Sequence, residues 1–545
     1  MLSSDCHPRS RHWTAIDFAF VLLLSLVHIL LWFWANHSAH VWLQVPATDE
    51  AHDLSTAWLF HRALESVDPN RLLRTWVSGS SVHTPLIPLG SAMLMRLFGA
   101  SRIVAQAILP VSILVWIVAV YEIIMRLYDR RTARFATALV TSFPVFLIYS
   151  RPYLFEQPWA AVFAVACWFL IASDGFRRRG ASLGFGVMAG LTALVRGGGF
   201  VILAGPIVVS LFRSDTDSDR ARRMLHCAEA LAVAITLACT WYAPNSRSFS
   251  GYVWQATYGQ DAIARTGRAA ALSWDAATYY ATWLIAQGPG WPMLFVVGAG
   301  LFSTAACARA RLRPSRTSLA LCAVFAINFA VLLIAMQRQT ARYFLPMTPI
   351  VALLIVRIVQ NIEPTVVRRG AGVLIALLGL HHIVALSITM PSVDDRVAAP
   401  YVHGIPLWDH RTYFKSLVDF YQLRTPVDDF RIEEIVRFLS TLPVQRDAAI
   451  AVVGPPHAFF HRNGLQLESI RQQREWRWIS ELPITDTTEE VIIPDVDVVI
   501  LRGDEVDFGP RRVSLREVKS FALGDGSIAR VLVRTNRSNP EARRP

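Results

Sequence analysis

A polytopic α-helical membrane protein of about eleven transmembrane helices, ending in an extracytoplasmic soluble α/β domain, is the fold class this sequence predicts. Three observations predict it. Apolar runs of near-spanning length recur through the first 390 residues, arginine clusters separate them in alternation, and the composition turns soluble after Pro391. Hydrophobic residues make up 53% of the 545 positions and charged residues 17%. A soluble domain carries about 25% charge, so much of this chain is withdrawn from water.

The N-terminus places Arg9 and Arg11 before an apolar run from Ile16 to Trp34. No small-residue cleavage signal follows the run, which therefore reads as a retained first span. Ten further runs have the expected character: 103–126, 132–149, 157–173, 181–195, 199–212, 225–243, 290–307, 318–336, 341–359 and 370–389. Charge then fixes their arrangement. Arg126, Arg130, Arg131 and Arg134 form one cluster, and Arg177, Arg178 and Arg179 a second. Arg213, Arg220, Arg222 and Arg223 form a third, Arg309, Arg311, Arg313 and Arg316 a fourth, and Arg368 and Arg369 a fifth. Basic clusters stay cytoplasmic, on the side of Arg9 and Arg11. The chain must cross twice between Arg179 and Arg213, so 181–212 is a hairpin turning at Arg196-Gly197-Gly198-Gly199. Parity puts everything after Met390 outside.

The stretch 85–98 is apolar but too short to cross, and it carries two prolines near its start; it is expected as a helix at the outer interface. The two large outer connections are 35–102 and 244–289, and loops of this size usually carry function. From 391 to 545 a separate extracytoplasmic α/β domain is expected, with a short tail after Asn536. Residues 448–454 and 496–503 read as apolar strands, and 430–442 as a helix with Ile432, Ile435, Val436 and Leu439 on one face.

Composition also excludes some functions. The net charge of +12 comes from arginines spread between apolar runs, not gathered on one domain. It therefore speaks for topology and contact with anionic membrane lipids, and against nucleic acid. The six cysteines are scattered at no metal-ligand spacing, so neither a disulfide framework nor a zinc site is legible.

Ionisable residues gather at the outer ends of the spans. Thr48-Asp49-Glu50 follows the first span, with His52 and Asp53 close behind. Adjacent carboxylates there suit a general base or a metal contact. They equally suit a helix start, with Thr48 as cap and the acids favouring the dipole. Further on come His83-Thr84-Pro85-Leu86, a short loop holding Arg151 and Glu156, Arg196 at the hairpin tip, and Arg342-Tyr343 opening a later span. Arg151, Arg196 and Arg342 have the guanidinium chemistry to clamp a phosphate. Arginines that merely reach to lipid headgroups are the plain alternative. His83 with Glu50 offers two possible ligands for a divalent metal ion, which do not yet make a site.

These motifs, in this order and on one side of the membrane, resemble the GT-C superfamily of polyprenyl-phosphate-sugar-dependent glycosyltransferases. That superfamily includes protein O-mannosyltransferases and the lipid A aminoarabinose transferases. The resemblance runs from Ile16 to about Met390. It rests on Thr48-Asp49-Glu50, on His83-Thr84-Pro85-Leu86 in the place of a Pro-Pro-Leu turn, and on Gly190-Leu191-Thr192-Ala193-Leu194-Val195-Arg196. Trp241-Tyr242-Ala243-Pro244-Asn245 and Arg342-Tyr343-Phe344-Leu345-Pro346 complete it. It implies that Asp49 is the acid that deprotonates or orients the acceptor and that Glu156 is a second catalytic acid. It implies that Arg196 and Arg342 face the donor phosphate; Arg151 and His83 are further expected phosphate contacts. Glu50, Tyr343, Trp241 and Asn245 are the expected substrate contacts. Two departures are visible: His83-Thr84 stands where many members have Lys, and the second acid is Glu where Asp is common.

The implied reaction moves a single sugar from a polyprenyl-phosphate donor to an acceptor hydroxyl, with inversion. The acceptor would be a lipid, a protein or a glycan, no cofactor is expected beyond a divalent ion, and a bacterial inner membrane is the expected location. A phosphodiester-linked sugar has a good leaving group, so a base and a phosphate clamp suffice. A multi-span transporter would also explain spans and edge charges. Transporters, however, place polar breaks at mid-membrane in paired halves, and no inverted repeat is visible here. An envelope glycan ligase or polymerase shares the lipid chemistry and differs in donor size. A non-catalytic scaffold ranks last, although a degenerate family member would look much the same.

Overall fold

The computed structural model describes residues 13–38, 48–211, 217–257, 274–306, 316–335, 341–362, 365–387, 401–402, 405–406, 431–442, 448–453, 462–472, 474, 476–478, 496–502, 515–523 and 527–534. Arg9, Arg11, Arg213, Arg309, Arg311 and Arg313, the boundary at 391 and the tail after 536 lie outside the described residues. The helices run α1 (Ala15–Ser38), α2 (Thr48–Glu65), α3 (Pro69–Ser78), α4 (Leu86–Phe98), α5 (Arg102–Gln106), α6 (Ile108–Leu127), α7 (Arg130–Thr141), α8 (Pro144–Tyr149), α9 (Glu156–Ala172) and α10 (Arg179–Val195). They continue as α11 (Ala204–Leu211), α12 (Asp217–Thr257), α13 (Trp274–Gln287), α14 (Gly290–Ala306), α15 (Arg316–Ala335), α16 (Thr348–Gln360) and α17 (Thr365–Ser387). Short 3-10 turns at Gly199–Leu203 and Ala341–Met347 lead into α11 and α16.

Six helical stretches are long and apolar enough to cross a membrane: Ala15–His37, Arg102–Leu127, Asp219–Gln255, Thr317–Ile334, Arg342–Gln360 and Thr365–Val384. Each overlaps an expected span. The expected spans 157–173, 181–195, 199–212 and 290–307 are shorter apolar helices. The remaining one, 132–149, is broken between α7 and α8. Pro144 has no N–H to continue the ladder and holds Phe143 in an extended conformation, so the helix stops and restarts. Large apolar side chains stay exposed along α1 (Phe18, Leu22, Leu23, Leu26, Leu30 and Phe33) and α17 (Val373, Leu374, Leu377 and Leu380). Such surfaces are costly in water and natural in hydrocarbon. This is a multi-pass membrane protein.

Polar pins fix the bundle where greasy packing alone lacks direction. The carboxylate of Asp17, fully buried at the start of α1, accepts from the Tyr121 hydroxyl at 2.5 Å and the Arg134 guanidinium at 2.6 Å, and pairs with Arg130 at 3.2 Å. It thereby ties α1 to α6 and α7. Between α10 and α12 the device is steric. A Cβ at Gly186 would overlap the Ala230 carbonyl, and one at Gly190 would meet Leu237 at 2.8 Å. This spacing of small residues lets two helices touch at backbone distance. Gly186→Val is expected to cost roughly 1–3 kcal/mol by overpacking, seen as a lower melting temperature of the detergent-solubilised protein. An unchanged melt would mean that the α10–α12 contact is not tight.

The long α12 departs from expectation. A loop is predicted from 244, yet the helix runs on to Thr257 with Pro244 inside it. Proline leaves the carbonyl four residues back without its helical partner. Here that carbonyl belongs to Thr240, and it accepts from the Trp76 indole N–H at 3.3 Å. The orphan is satisfied from another element, so the helix survives.

The C-terminal region forms a small sheet. Strands β1 (Tyr401–Val402) and β2 (Ile405–Pro406) pair antiparallel. Strands β3 (Ala449–Val453), β4 (Arg477–Trp478), β5 (Val498–Arg502), β6 (Leu515–Ala522) and β7 (Ile528–Arg534) form a second sheet in the order β4-β3-β5-β7-β6. β3 lies parallel to β4 and β5, and β7 is antiparallel to β5 and β6. Strands β3 and β5 are buried on both faces, which explains their continuous apolar runs. Helix α18 (Ile432–Leu439) buries Ile432, Ile435, Val436 and Leu439 against this sheet, as its spacing predicts. Helix α19 (Arg462–Arg471) leans on α2: Leu467 joins the cluster of Leu54, Ala57 and Phe60, and the Arg62 guanidinium donates to the Ile470 carbonyl.

Candidate functional site

One end of the bundle collects charged side chains from five segments distant in sequence. Helix α2 supplies Asp49 in its first turn, the loop before α4 supplies His83, α9 opens with Glu156, α10 ends at Arg196, and the 3-10 turn before α16 carries Arg342 and Tyr343. Local chemistry places each of them. Arg196 is extended, and Gly198 behind it has φ +73°, a conformation that favours glycine, so the chain reverses at the hairpin tip. A Cβ at Gly197 would meet the Phe249 ring at 2.6 Å, so the tip seats directly on α12.

Glu156 is the hub. Its carboxylate is fully buried and meets Arg196 at 2.6 Å and Arg342 at 3.3 Å. Set between the two guanidinia, this carboxylate acts as their clamp. The Tyr343 ring lies against both cations, 4.6 Å from the Arg196 guanidinium carbon and 5.5 Å from that of Arg342. Two cations and one anion leave an uncompensated positive charge beside Asp49. The Asp49 side chain is 43% exposed and 4.0 Å from Arg342. Loss of solvent works to raise its pKa, but the charges of His83, Arg342 and Arg196 outweigh this and hold it below the usual carboxylate range.

A second group sits one helical turn further along α2. The buried Asp53 carboxylate bonds the His83 Nδ1 at 2.6 Å, and the His52 Nε2 lies 3.0 Å from the Ser80 hydroxyl. Burial pushes the Asp53 carboxyl up to about 6 against the opposing pull of His83. The Asp53 charge and hydrogen bond overcome burial at His83 and raise its pKa. Burial, with His83 and Arg462 nearby, lowers His52 to about 3. Ligand atoms of His52, Asp53 and His83 fall within 4.8 Å of one another. Two imidazoles and a carboxylate are a donor set that suits a zinc-like ion.

The structure thus brings together Asp49, His83, Glu156, Arg196, Arg342 and Tyr343. It sets four other sequence candidates apart. Glu50 turns about 100° around α2 from Asp49, and its carboxylate accepts from Gln106 at 2.6 Å and Arg102 at 3.1 Å. The pairing of Glu50 with His83 is therefore corrected: the carboxylate beside that imidazole is Asp53. Arg151 is buried with its guanidinium on the Leu386 carbonyl and the Ser387 hydroxyl, so it anchors the end of α17 and does not join Arg196 and Arg342. Trp241 and Asn245 are likewise engaged in the scaffold. The Trp241 indole donates to the Ser80 carbonyl at 3.3 Å and the Asn245 amide to that of Val77 at 2.9 Å, locking α12 to the segment that carries His83. The sequence reading did not single out Asp53. A helical reading of α2 would have found Asp53, which shares a face with Asp49 four residues earlier.

A family model for dolichyl-phosphate-mannose-protein mannosyltransferase matches residues 82–242, from beside His83 to Tyr242. No curated protein matches the chain by sequence. In three dimensions it is similar to the crystal structure of ArnT from Cupriavidus metallidurans in the apo state. The TM-score is 0.54 at 12% identity, over 95% of this chain and 98% of that one. The structure of the same protein bound to undecaprenyl phosphate gives 0.55 at 13% identity, over 94% and 98%. The cryo-EM structure of the arabinofuranosyltransferase AftD from Mycobacteria gives 0.50 at 14%, covering 96% of this chain and 40% of that one. The likeness to these structures is one of fold. The resemblance read from the sequence holds: the chain has the GT-C membrane fold with a small C-terminal sheet region.

Proposed function

We propose that this chain is a membrane glycosyltransferase that moves one sugar from a polyprenyl-phosphate donor to an acceptor hydroxyl. The observation that carries the reading is the Glu156 clamp. It holds Arg196 and Arg342 side by side, with one net positive charge, next to an accessible Asp49. A phosphodiester bound by the two guanidinia would place its sugar against Asp49. Asp49 accepts the proton of the acceptor hydroxyl while that oxygen bonds to the anomeric carbon. The bond from this carbon to the phosphate oxygen breaks, and polyprenyl phosphate leaves with the electron pair, its charge met by Arg196 and Arg342. One displacement inverts the anomeric centre. Glu156, fully buried, positions the arginines in this scheme.

A divalent ion, where one takes part, would be held by His52, Asp53 and His83 and would add positive charge beside Asp49. Without it the imidazolium of His83, held by Asp53, supplies charge on the same side. The site end of the bundle is assigned to the extracytoplasmic face, with the N-terminus cytoplasmic, because the arginine clusters of 126–134, 177–179, 220–223 and 368–369 lie at the other helix ends. The region from 391 to 545 is assigned to the acceptor side, since α19 packs along the acid-bearing α2.

Mass spectrometry of envelope lipids and glycans tests the reading in cells that lack the protein and cells that carry it. The expected result is the loss of a single sugar from one acceptor in the deficient cells, with its lipid-linked donor accumulating. No change in any sugar-bearing species would favour a transporter, whose sites lie at mid-membrane.

A further inference from the structure

We propose that Tyr252 is the sugar platform of this site, its ring face packing against the sugar of the lipid-linked donor; the inference rests on the glycosyl-transfer reading above. Tyr252 lies in the part of α12 that continues past Pro244, about 12 Å beyond that proline at helical rise. Several contacts hold this extension in place. Trp76 satisfies the carbonyl that the proline orphans, and Asn245 ties the helix to Val77. Trp241, Tyr242 and Phe249 pack edge to face at 5.0–5.6 Å. The Tyr242 hydroxyl accepts from the Gly198 N–H at 3.2 Å, and Phe249 rests on Gly197. The extension is therefore bound to the hairpin tip that carries Arg196. Tyr252, three residues after Phe249, shares its side of the helix.

From that position the Tyr252 ring meets the His83 ring edge to face at 6.3 Å, and its hydroxyl is within electrostatic reach of Asp49, Tyr343, Arg196 and Arg342. Among the described residues, three phenyl and phenol rings beside this group are buried: Tyr343 is 5% exposed, Phe155 6% and Tyr153 0%. Tyr252 is 45% exposed. An exposed ring over a charged site offers a flat apolar face of the size of a sugar ring, whose C–H groups are its natural complement, while the charged groups serve the phosphate. The phosphate and the sugar would then be recognised by different residues: the arginines for one, Tyr252 for the other.

The test uses the full-length protein in lipid nanodiscs and three probes: undecaprenyl phosphate, undecaprenyl phosphate mannose and undecaprenyl phosphate arabinofuranose. Tyr252→Ala is expected to weaken binding of at least one sugar-bearing probe by about tenfold, and to leave undecaprenyl phosphate within about twofold. Tyr252→Phe and Tyr252→Trp, which keep a ring, should bind as the wild type does. In transfer assays the Ala variant should raise the KM for the donor more than it lowers kcat. Equal binding of all three probes by the Ala variant and the wild type overturns the platform. So does an equal loss for the sugar-free lipid, which would make Tyr252 a support of the phosphate site. A wild type that binds none of the lipids overturns the glycosyl-transfer reading itself, and the platform with it.

Discussion

Asp49→Asn should lower kcat/KM for sugar transfer by about 10²–10⁴-fold, the range for loss of a general base, in protein that folds and inserts normally. The carboxylate is half exposed, and its ion pair is the 4.0 Å contact with Arg342, so the isosteric amide disturbs little else. The depressed pKa of Asp49 does not oppose this role. It keeps the group ionised throughout the neutral range, and proton transfer occurs as the acceptor oxygen bonds to carbon. Glu50→Gln is the internal comparison. Its side chain faces Arg102 and Gln106, so it should affect stability and leave the donor KM nearly unchanged. If Asp49→Asn retains full transfer at equal abundance, the base lies elsewhere.

Glu156→Gln should destabilise the protein by about 3–5 kcal/mol, the cost of stripping one partner from a buried ion cluster. Arg196 and Arg342 both lean on this carboxylate, and no other acid meets Arg196 among the described ion pairs. Their mutual repulsion would then be met only by the 4.0 Å contact of Arg342 with Asp49. The double substitution Glu156→Gln with Arg196→Met removes one charge of each sign. It should regain part of the lost stability and none of the activity. Thermal unfolding of both variants in detergent gives the answer. A Glu156→Gln protein as stable as the wild type would show that the clamp does not hold the arginines.

Much of the architecture was legible because membrane helices declare themselves by length and apolarity. Six expected spans reappear as helices long enough to cross a membrane and four as shorter apolar helices, and Ile432, Ile435, Val436 and Leu439 form the buried face that their spacing implies. The residues that form the site were legible as individuals, since Asp49, His83, Glu156, Arg196 and Arg342 all fall at the same ends of their spans. Their division of labour was not. Glu156 reads as a second catalytic acid until its partners, one forty residues on and one still further along the chain, are seen to enclose it. Arg151 reads as a third phosphate contact, and nothing nearby in sequence reveals that Leu386 and Ser387 occupy it. Tyr252 stayed hidden for a different reason. Proline is a helix-stop signal, and the group that cancels it at Pro244, the Trp76 indole, stands 164 residues before the carbonyl it serves. Compensation at that range leaves no trace in local pattern.

The measurement that bears most directly on the central claim is transfer by the purified protein reconstituted in liposomes. Polyprenyl-phosphate sugars with a labelled sugar ring are supplied together with an envelope extract as the source of acceptor. The account predicts that the wild type consumes at least one of these donors and releases polyprenyl phosphate. It also predicts that label passes to a single acceptor with the anomeric configuration inverted, and that Asp49→Asn does none of this. Retention of configuration, or equal turnover by wild type and Asp49→Asn, would contradict the displacement at Asp49; no turnover of any such donor would contradict the enzyme.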